Sequence, residues 1–561
     1  MCRFQSGIYE KITIFASRAA DGRGDGWFRL SDSSGRGMEV HLGLDHYRRV
    51  CLPLEPGQTY QMMKSDNVTI AQMYLSGCPD QMERGVEFVN PEGGGWVEPE
   101  KWFDTPWREQ YHFVPFVNWI NDPNGLCWYQ GYYHLFYQTN PFGQEWGDMY
   151  WGHAVSKDLI HWVSQPHVLE PQPELWRSPD RKGGAFSGCA VVEKDGIHLY
   201  LTRHEGPLKD GEESREWQTH AICRDGLRVE EERMMISEKP PGVAYDFRDP
   251  KVEKIGRERY LVLGACLEGL PAILLYRQKE SGGRGQNWEY LGPLVQEKTP
   301  GIRTIECPDF FSVDGCEVAV GAWMCHYDEA GRYQMTRCYI GSFDGTRFQV
   351  KREQWFDFGS NFYAVQSFAH EGRRIAIGWI SDFLGEHRVE KNGAYGSFAL
   401  PREVHVREER LFLTPVRECY ELLGETLLEC RDRAVVERME IPGNSYYVQM
   451  SLEGEGDFSI LLAQDGEDTL TLERRDGLTG LVSGKKEARN VRFPADVSRV
   501  REIEIFVDRR VTEVFLNHGE AAGTKVFYQE SRDGCFGVRL SGGRIKALKV
   551  CRMESIWKKK A

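Results

Sequence analysis

The segment that decides the fold and the chemistry of this chain reads Asn118-Trp119-Ile120-Asn121-Asp122-Pro123-Asn124-Gly125. It places one carboxylate, Asp122, between two amides and before a proline, and it ends on a glycine. Asn, Asp, Pro and Gly are also the residues that tight turns require. An ordinary Asx-Pro turn is therefore the competing interpretation of this segment taken alone.

Two further acidic residues stand in equally unusual, proline-marked settings. They are Asp249, in Phe247-Arg248-Asp249-Pro250, and Glu306, in Ile305-Glu306-Cys307-Pro308. Cleavage of a glycosidic bond requires one carboxyl group to stabilise or trap the oxocarbenium-like centre and another to protonate the leaving oxygen. Three isolated carboxylates in such settings therefore indicate a glycosidase-like site.

The neighbours of each carboxylate suggest its role. Asp122 fits a nucleophile because the flanking amides can hold it ionised and oriented. Glu306 fits a proton donor because apolar Ile305 and the Cys307 thiol favour its uncharged form by desolvation. Asp249 is expected to stay charged beside Arg248, which suits a group that grips sugar hydroxyls. Each of the three could instead be a structural turn residue or part of a surface ion pair.

Length and composition restrict the classes of protein. A chain of 561 residues is too long for one core, so two or three domains are expected. The formal charge of −14 argues against a nucleic-acid or anionic-membrane partner. Fifteen cysteines without CxxC pairs indicate reduced thiols, with neither a disulfide framework nor a zinc site. We expect a cytoplasmic protein, because no apolar run suits a signal peptide or a membrane helix.

The strand patterns predict an all-β chain. Residues 1–100 form a small N-terminal β-domain, for which a carbohydrate-binding module is the sharper alternative. Residues 105–410 repeat short apolar runs at roughly 60-residue intervals, which fits five four-stranded propeller blades, although a sandwich also fits the pattern. A helical connector is predicted over 416–428 and a C-terminal β-sandwich over 429–555.

The three acidic motifs, in this order, resemble the signatures of glycoside hydrolase family 32, the family of invertases, levanases and inulinases. The resemblance covers about residues 108–550 and leaves the first hundred residues outside. The supporting motifs are Leu135-Phe136-Tyr137-Gln138, Trp151-Gly152-His153-Ala154-Val155-Ser156, Phe186-Ser187-Gly188, Phe362-Tyr363-Ala364 and Leu400-Pro401-Arg402.

The resemblance implies a five-bladed β-propeller with the site in its axial funnel, followed by a β-sandwich. It also implies retaining hydrolysis of terminal β-fructofuranosides, with Asp122 as nucleophile, Asp249 as transition-state stabiliser and Glu306 as general acid/base. The two catalytic carboxyl groups would then lie roughly 5–5.5 Å apart. No metal or organic cofactor is expected. The residues implied to line the fructose pocket are Asn121, Gln138, Trp146, Phe186, Ser187, Arg248 and Trp379.

Several alternatives stay open at this point. The substrate could be sucrose, phosphorylated sucrose or short fructo-oligosaccharides, with inulin and levan as longer candidates. A sucrose-6-phosphate hydrolase, a fructosyltransferase that shares the covalent intermediate, and a noncatalytic fructan-binding protein are the competing functions. Trp323, Tyr363 and Asp382 are candidates for outer sugar subsites, although core packing explains the two aromatic residues equally well. The expected partner is a small carbohydrate, and self-association is left open.

Overall fold

The computed structural model describes residues 2–19, 24–207, 213–279, 287–383, 390, 393–484 and 492–558. Over these ranges the chain forms nine β-sheets, which confirms the predicted all-β class. The helices are short: α1 (Gln81–Arg84), α2 (Pro99–Trp102) and the 3₁₀ helices Leu175–Arg177, Arg417–Leu422 and Pro442–Asn444. In this part of the chain no helix is both long and apolar enough to cross a membrane.

The N-terminal region packs two four-stranded antiparallel sheets face to face around an apolar core. Its strands are β1 (Cys2–Gln5), β2 (Lys11–Arg18), β3 (Trp27–Asp32), β4 (Gly37–His41), β5 (Tyr47–Pro53), β6 (Thr59–Lys64), β7 (Val68–Ser76) and β8 (Glu87–Phe88). The strand orders are β1-β6-β3-β4 and β5-β2-β7-β8. Alternate apolar residues of β2 and β3, such as Ile12, Ile14, Phe28 and Leu30, are fully buried between the sheets.

Residues 118–415 form five sheets arranged as a closed five-bladed propeller. The first strand of each blade lies against the first strand of the next, and the first strand of blade five lies against that of blade one. Blade one contains β9 (Asn118–Tyr129), β10 (Tyr132–Asn140), β11 (Tyr150–Ser156) and β12 (Trp162–Leu169); blade two contains β13 (Gly183–Glu193), β14 (Gly196–Glu205), β15 (Arg215–Cys223) and β16 (Glu231–Ile236). Blade three contains β17 (Val243–Ile255), β18 (Glu258–Leu267), β19 (Leu270–Gln278) and β20 (Trp288–Gln296); blade four contains β21 (Ile305–Val313), β22 (Cys316–Trp323), β23 (Thr336–Phe343) and β24 (Phe348–Trp355). Blade five contains β25 (Phe362–His370), β26 (Arg373–Ile380), β28 (Ser397–Phe398), β29 (Arg402–Arg407) and β30 (Arg410–Pro415), and the short β27 (Ala394–Tyr395) joins blade one by pairing parallel with β9.

Each innermost strand carries a β-bulge at the same level of the propeller. In each bulge, two residues of the innermost strand lie opposite one residue of its hairpin partner. The bulge changes the direction in which the local side chains point. The pairs are 121–122 opposite Gln138, 186–187 opposite Thr202, 249–250 opposite Leu263, 307–308 opposite Gly321, and 364–365 opposite Gly378. In blades three, four and five the first bulge residue is left-handed, at Asp249 (φ 63°), Cys307 (φ 46°) and Ala364 (φ 51°).

The C-terminal region is a sandwich of two six-stranded antiparallel sheets. Its strands are β31 (Leu423–Cys430), β32 (Val435–Ile441), β33 (Ser445–Glu453), β34 (Phe458–Asp465), β35 (Asp468–Arg475), β36 (Leu478–Ser483), β37 (Arg492–Pro494), β38 (Glu502–Asp508), β39 (Val511–Leu516), β40 (Ala521–Val526), β41 (Gly534–Leu540) and β42 (Arg544–Met553). The orders are β31-β42-β33-β38-β39-β40 and β32-β41-β34-β35-β36-β37. Buried residues of both sheets, among them Ile460, Leu472, Ile505 and Val514, form the shared core.

The predicted helical connector over 416–428 is wrong. The chain makes only a 3₁₀ helix at Arg417–Leu422 and then continues as β31, which pairs with β42. The mixture of apolar and charged residues suited a helix locally, but the exposed edge of β42 offers a ladder of backbone partners. Tertiary pairing therefore overrides the local helical pattern.

The N-terminal region packs against the outer part of blade one and against the loop that follows β10. The Phe15 ring lies edge-on to Phe142 and to Tyr150, with ring centroids 5.7 and 5.8 Å apart. Arg49 forms a 2.6 Å ion pair with Glu170, beyond the end of β12. The N-terminal region therefore supports residues 141–149, the loop at the mouth of the propeller.

A fully buried ionic cluster joins the propeller to the sandwich. The His112 ring lies 2.9 Å from Asp508 through Nδ1 and 2.9 Å from Glu513 through Nε2. Glu513 also accepts a 2.6 Å bond from Arg402, whose other amino group bonds Asp357 at 2.8 Å. Buried charges are tolerated only when they are paired in this way. Burial alone would lower the pKa of His112, but Asp508 and Glu513 raise it to about 9.

The His112 cluster predicts a pH-dependent contribution to stability. A histidine whose pKa is raised by folding stabilises the fold below about pH 6.5, and this contribution is lost as the pH rises through about 9. In denaturant titrations, the free energy of unfolding of wild type should exceed that of His112→Gln by an amount that decreases by on the order of 3 kcal/mol between about pH 6.5 and about pH 9. His405→Gln, at a half-exposed histidine 3.4 Å from Asp314, is the control. A gap for His112→Gln that stays constant with pH would contradict this assignment.

Candidate active site

The three predicted carboxylates meet at the level of the bulges. Asp122 lies on β9, Asp249 on β17 and Glu306 on β21, so three different innermost strands supply them. The thiol of Cys307 touches two of them, lying 3.3 Å from Asp122 Oδ2 and 3.7 Å from Asp249 Oδ2. Because the strands form one closed ring, residues far apart in the sequence converge around a single buried sulfur atom.

Asp122 is held by two side-chain donors on one oxygen. The Ser187 hydroxyl donates to Oδ2 at 2.5 Å, and the Cys307 thiol donates to the same oxygen. Burial raises the pKa of Asp122, while the Ser187 hydroxyl acts in the opposite direction. The neighbouring Asn121 is oriented by Trp119, whose indole N–H donates to Asn121 Oδ1 at 2.7 Å.

Glu306 is held by one donor on each carboxyl oxygen. Arg248 Nη2 donates to Oε1 at 3.0 Å, and the Tyr363 hydroxyl donates to Oε2 at 2.7 Å. Its side chain is 19% exposed, and Asp122 is also partly exposed. Asp249, in contrast, is buried. The two carboxyl groups with access to the funnel are therefore Asp122 and Glu306.

Asp249 departs from the sequence-based expectation, because Arg248 does not keep it charged. Burial raises the pKa of Asp249 to about 8, against the opposing effect of Arg248 and with the aid of the Glu306 and Asp122 charges. The Arg248 guanidinium turns away from its neighbour in sequence and bonds Glu216, Asp246 and Glu306. Asp249 receives instead the Cys307 N–H, at 2.9 Å, on Oδ2.

The predicted pocket residues lie around these carboxylates. Gln138 sits opposite the first bulge and donates to the Ala185 carbonyl at 3.1 Å. Phe186 lies in the second bulge, and Trp146, which is 45% exposed, stands edge-on to it at 6.1 Å. Trp379 packs edge-on to Trp119, with ring centroids 5.7 Å apart. The structure thus gives this site aromatic walls on two sides.

A run of aromatic rings continues this wall from Glu306 to the surface. Tyr363 packs edge-on to Phe383 at 5.3 Å, and Phe383 packs on Tyr333 at 6.0 Å. The ring centroid of Tyr333 in turn lies 4.4 Å from that of Tyr327, which is exposed. Flat apolar faces of this kind suit the faces of sugar rings.

The candidates for outer subsites are placed differently from one another. Tyr363 contacts Glu306, as described above. Trp323 is 3% exposed and packs on Trp355 inside blade four, so core packing accounts for it. Asp382 is buried beside Asn361 and Tyr395. His153 is buried and stacked on His134 in blade one, so packing accounts for it.

Sequence reasoning missed two residues, Glu216 and His204. Glu216 Oε1 accepts bonds from Arg248 Nη1 at 3.0 Å and from His204 Nδ1 at 3.1 Å. The His204 ring lies parallel to Phe186 with centroids 4.1 Å apart. Neither residue stands in a marked local setting. The sequence offered one signal, the charged residue Glu216 within the strand segment Arg215–Cys223, where the pattern predicts a buried position.

A propeller that gathers carboxyl groups at the bulges of its innermost strands, beside aromatic walls, is typical of a glycoside hydrolase. The family described as "Glycosyl hydrolases family 32 N-terminal domain" matches residues 112–415. The chain therefore belongs to glycoside hydrolase family 32, and it is an enzyme that acts on fructosides.

Relatives with assigned activities match most of the chain. A sucrose-6-phosphate hydrolase of Zymomonas mobilis is 30% identical over 457 residues, which cover 75% of this chain and 86% of that protein. A levanase of Bacillus subtilis is 29% identical over 509 residues, which cover 81% of this chain and 72% of that protein.

Solved structures of the same family share the fold. A glycoside hydrolase family 32 protein from Bifidobacterium adolescentis is 35% identical, with a TM-score of 0.93, and the match covers 99% of this chain and 100% of that one. A mutant β-fructofuranosidase of Bombyx mori in complex with sucrose is 26% identical, with a TM-score of 0.69, and the match covers 82% and 96%. The B. adolescentis match extends over the N-terminal region as well.

Asp249 predicts a stability penalty at alkaline pH. Its folded-state pKa near 8 exceeds the unfolded value near 4, so the fold loses stability as the pH rises between these values. Asn at position 249 cannot ionise. In denaturant titrations at pH 8.5, the free energy of unfolding of Asp249→Asn should therefore exceed that of wild type by more than about 2 kcal/mol, and the difference should vanish near pH 4. Asp496→Asn, at a carboxylate that is 78% exposed, is the control. Equal stability of Asp249→Asn and wild type at pH 8.5 would refute this prediction.

Proposed function

We propose that this chain is a retaining, exo-acting β-fructofuranosidase that releases terminal non-reducing β-D-fructofuranosyl units from sucrose and short fructo-oligosaccharides. The observation that supports this best is the convergence of Asp122, Asp249 and Glu306 around Cys307, with Glu306 held between Arg248 and Tyr363. Two partly exposed carboxyl groups beside one buried carboxyl group provide a nucleophile, an acid and a group for binding the sugar.

In this proposal Asp122 attacks the anomeric carbon of the fructosyl unit. Ser187 and Cys307 both donate to Oδ2, which favours Oδ1 as the attacking oxygen. Glu306 gives its proton to the glycosidic oxygen as the bond to the leaving group breaks, and a covalent fructosyl-enzyme forms. Glu306 then removes a proton from a water molecule that attacks the same carbon, so the configuration is retained and Asp122 is released.

The remaining predicted residues would bind the terminal fructose. Asp249 would contact sugar hydroxyls beneath the ring, because its side chain is fixed by the Cys307 N–H and is closed off from bulk solvent. Asn121, Gln138, Ser187 and Arg248 provide further polar groups. Trp146, Phe186 and Trp379 would provide the apolar walls that many sugar sites use.

The floor of the funnel supports exo action. Directly below the bulges, Lys251 lies 3.3 Å from Asp309 and 3.5 Å from Gln366, and it also bonds the Ser367 carbonyl. These groups come from blades three, four and five and fill the axis. A fructan chain could then enter only end-on, so that one terminal residue reaches Asp122.

The pairing of nearby arginines with carboxylates supports uncharged substrates over phosphorylated sucrose. Three arginines near the wall are each committed to carboxylates: Arg248 to three of them, Arg303 to Asp246 at 2.9 Å, and Arg332 to Asp328 at 2.6 Å. The names of several relatives support a sucrose-6-phosphate hydrolase as the second candidate. The predicted cytoplasmic location and any self-association stay predictions.

A substrate panel tests this function. Purified protein would be incubated with sucrose, sucrose-6-phosphate, kestose, inulin and levan, and the products resolved by chromatography. We expect free fructose from sucrose and kestose, with kcat/KM at least about tenfold above that for the phosphorylated sugar, because Arg248, Arg303 and Arg332 are already paired with carboxylates. Cleavage of the phosphorylated sugar alone would favour the second candidate, and longer oligomers would indicate a fructosyltransferase.

Glu306→Gln tests the proposed acid. The substitution keeps the shape and the Tyr363 contact but removes the transferable proton, so kcat on sucrose should fall by about 10²–10⁴ while KM changes little. Glu317→Gln on the neighbouring β22 strand, where the carboxylate accepts the Phe343 N–H, is the matched control. Unchanged turnover in folded Glu306→Gln would rule out this role.

A further inference from the structure

Glu216 connects three parts of the site although it belongs to none of the recognised motifs. It lies on β15, the third strand of blade two, and its side chain is 3% exposed. Besides Arg248 and His204, it accepts the Phe247 N–H on Oε2 at 2.5 Å. A carboxylate buried this deeply requires several donors, and here the donors are the neighbours of the reacting groups.

Each of these bonds leads to a different element of the site. Arg248 continues from Glu216 to Glu306. The Phe247 N–H belongs to the backbone that precedes Asp249, and that backbone is fixed again by the bond from Asp249 N to the Thr202 hydroxyl at 2.9 Å. His204 continues from Glu216 to the face of Phe186. One side chain therefore supports the acid, the buried carboxyl group and one aromatic wall.

We propose that Glu216 is a positioning residue that controls the acid/base group through Arg248, an inference that rests on the proposed function. Arg248 is shared between Glu216, Asp246 and Glu306. The charge of Glu216 draws the guanidinium away from Glu306, so Arg248 orients the acid without stabilising its ionised form so strongly that the proton is lost. Glu216 is thus a counter-charge that preserves the proton donor.

The groups that face this cluster determine how the idea can be tested. Glu216 is faced by His204 and Arg248, and Arg248 is faced by Asp246, Asp249 and, through Asp246, Arg303. The ionisable groups that interact with Glu306 include Arg248, Asp122, Asp249, Cys307, Tyr333 and Tyr363. All of them remain in a Glu216 variant, so a change in the pH profile reports the loss of the Glu216 charge.

The test is the pH dependence of kcat/KM for fructose release from sucrose, measured on the full chain. Glu216→Gln removes one negative charge from the cluster while it keeps the side-chain shape. We expect kcat to fall by about tenfold or more and the alkaline limb of the profile to move to lower pH by about half a unit to one unit. The movement is downward because Arg248, once it no longer faces the Glu216 charge, interacts more strongly with the carboxylate form of its remaining partners.

Two further variants separate charge from structure. Glu216→Asp keeps the charge, so its alkaline limb should stay within about 0.2 units of wild type even if kcat falls. Glu232→Gln on β16 is the matched control, because that carboxylate pairs with Arg203 and Thr219 on neighbouring strands of the same blade and does not contact the site. Its profile should superimpose on that of wild type.

The inference is overturned if Glu216→Gln shows the wild-type limb, or if Glu216→Asp moves the limb as far as Glu216→Gln does. Near-UV circular dichroism of each variant shows that it is folded. If Glu216→Gln does not fold, the pH profile of Glu216→Asp decides. An alkaline limb displaced from that of wild type by half a pH unit or more overturns the inference, and an undisplaced limb supports it. A wild-type protein that releases no fructose from any substrate would instead refute the proposed function, which is a different result from an active wild type with an unmoved limb.

Discussion

The extra residue in each innermost strand is the constraint on which the site depends. In a regular strand successive side chains point to opposite faces, so only alternate residues could face the axis. The bulge breaks this alternation at one level in all five blades. Adjacent residues such as Glu306 and Cys307 can then both reach the site. This explains why the motifs consist of neighbouring residues of the site followed, in four blades, by proline or glycine.

The bulges also concentrate charge that the fold would otherwise avoid. Asp249, Glu306, Asp246 and Glu216 all interact with the charge of Arg248, and all but Glu306 are buried. Removing carboxylates from water is costly, and Arg248, even with Arg303 beside Asp246, cannot balance all of these charges. The chain resolves this by letting Asp249 hold a proton near neutrality and by distributing the others over hydrogen bonds. Such a perturbed cluster is typical of a functional site.

The sequence was informative where function is carried by local motifs. The convergence of Asp122, Asp249 and Glu306 could be predicted because proline and unusual neighbours mark each of them, and the spacing of the short apolar runs indicated the propeller. The charge state of Asp249 could not be predicted, because the direction of the Arg248 side chain depends on Glu216, a residue on another strand. The supposed helix at 416–428 failed for a similar reason, since its hydrogen-bond partners come from β42. Local sequence does not record partners supplied by distant strands.

The strand that carries Asp122 is completed by the other end of the propeller. β27 pairs parallel with its first residues, the Asn118 N–H donates to the Gly393 carbonyl, and Tyr395 stacks on Trp119 with ring centroids 4.8 Å apart. While the chain is being synthesised, this side of β9 is an open edge until residues 393–395 have emerged from the ribosome. Such an edge can recruit other strands and lead to aggregation. Ring closure therefore removes the aggregation risk and completes the surroundings of Asp122 in a single event, so a partly made chain has no finished site.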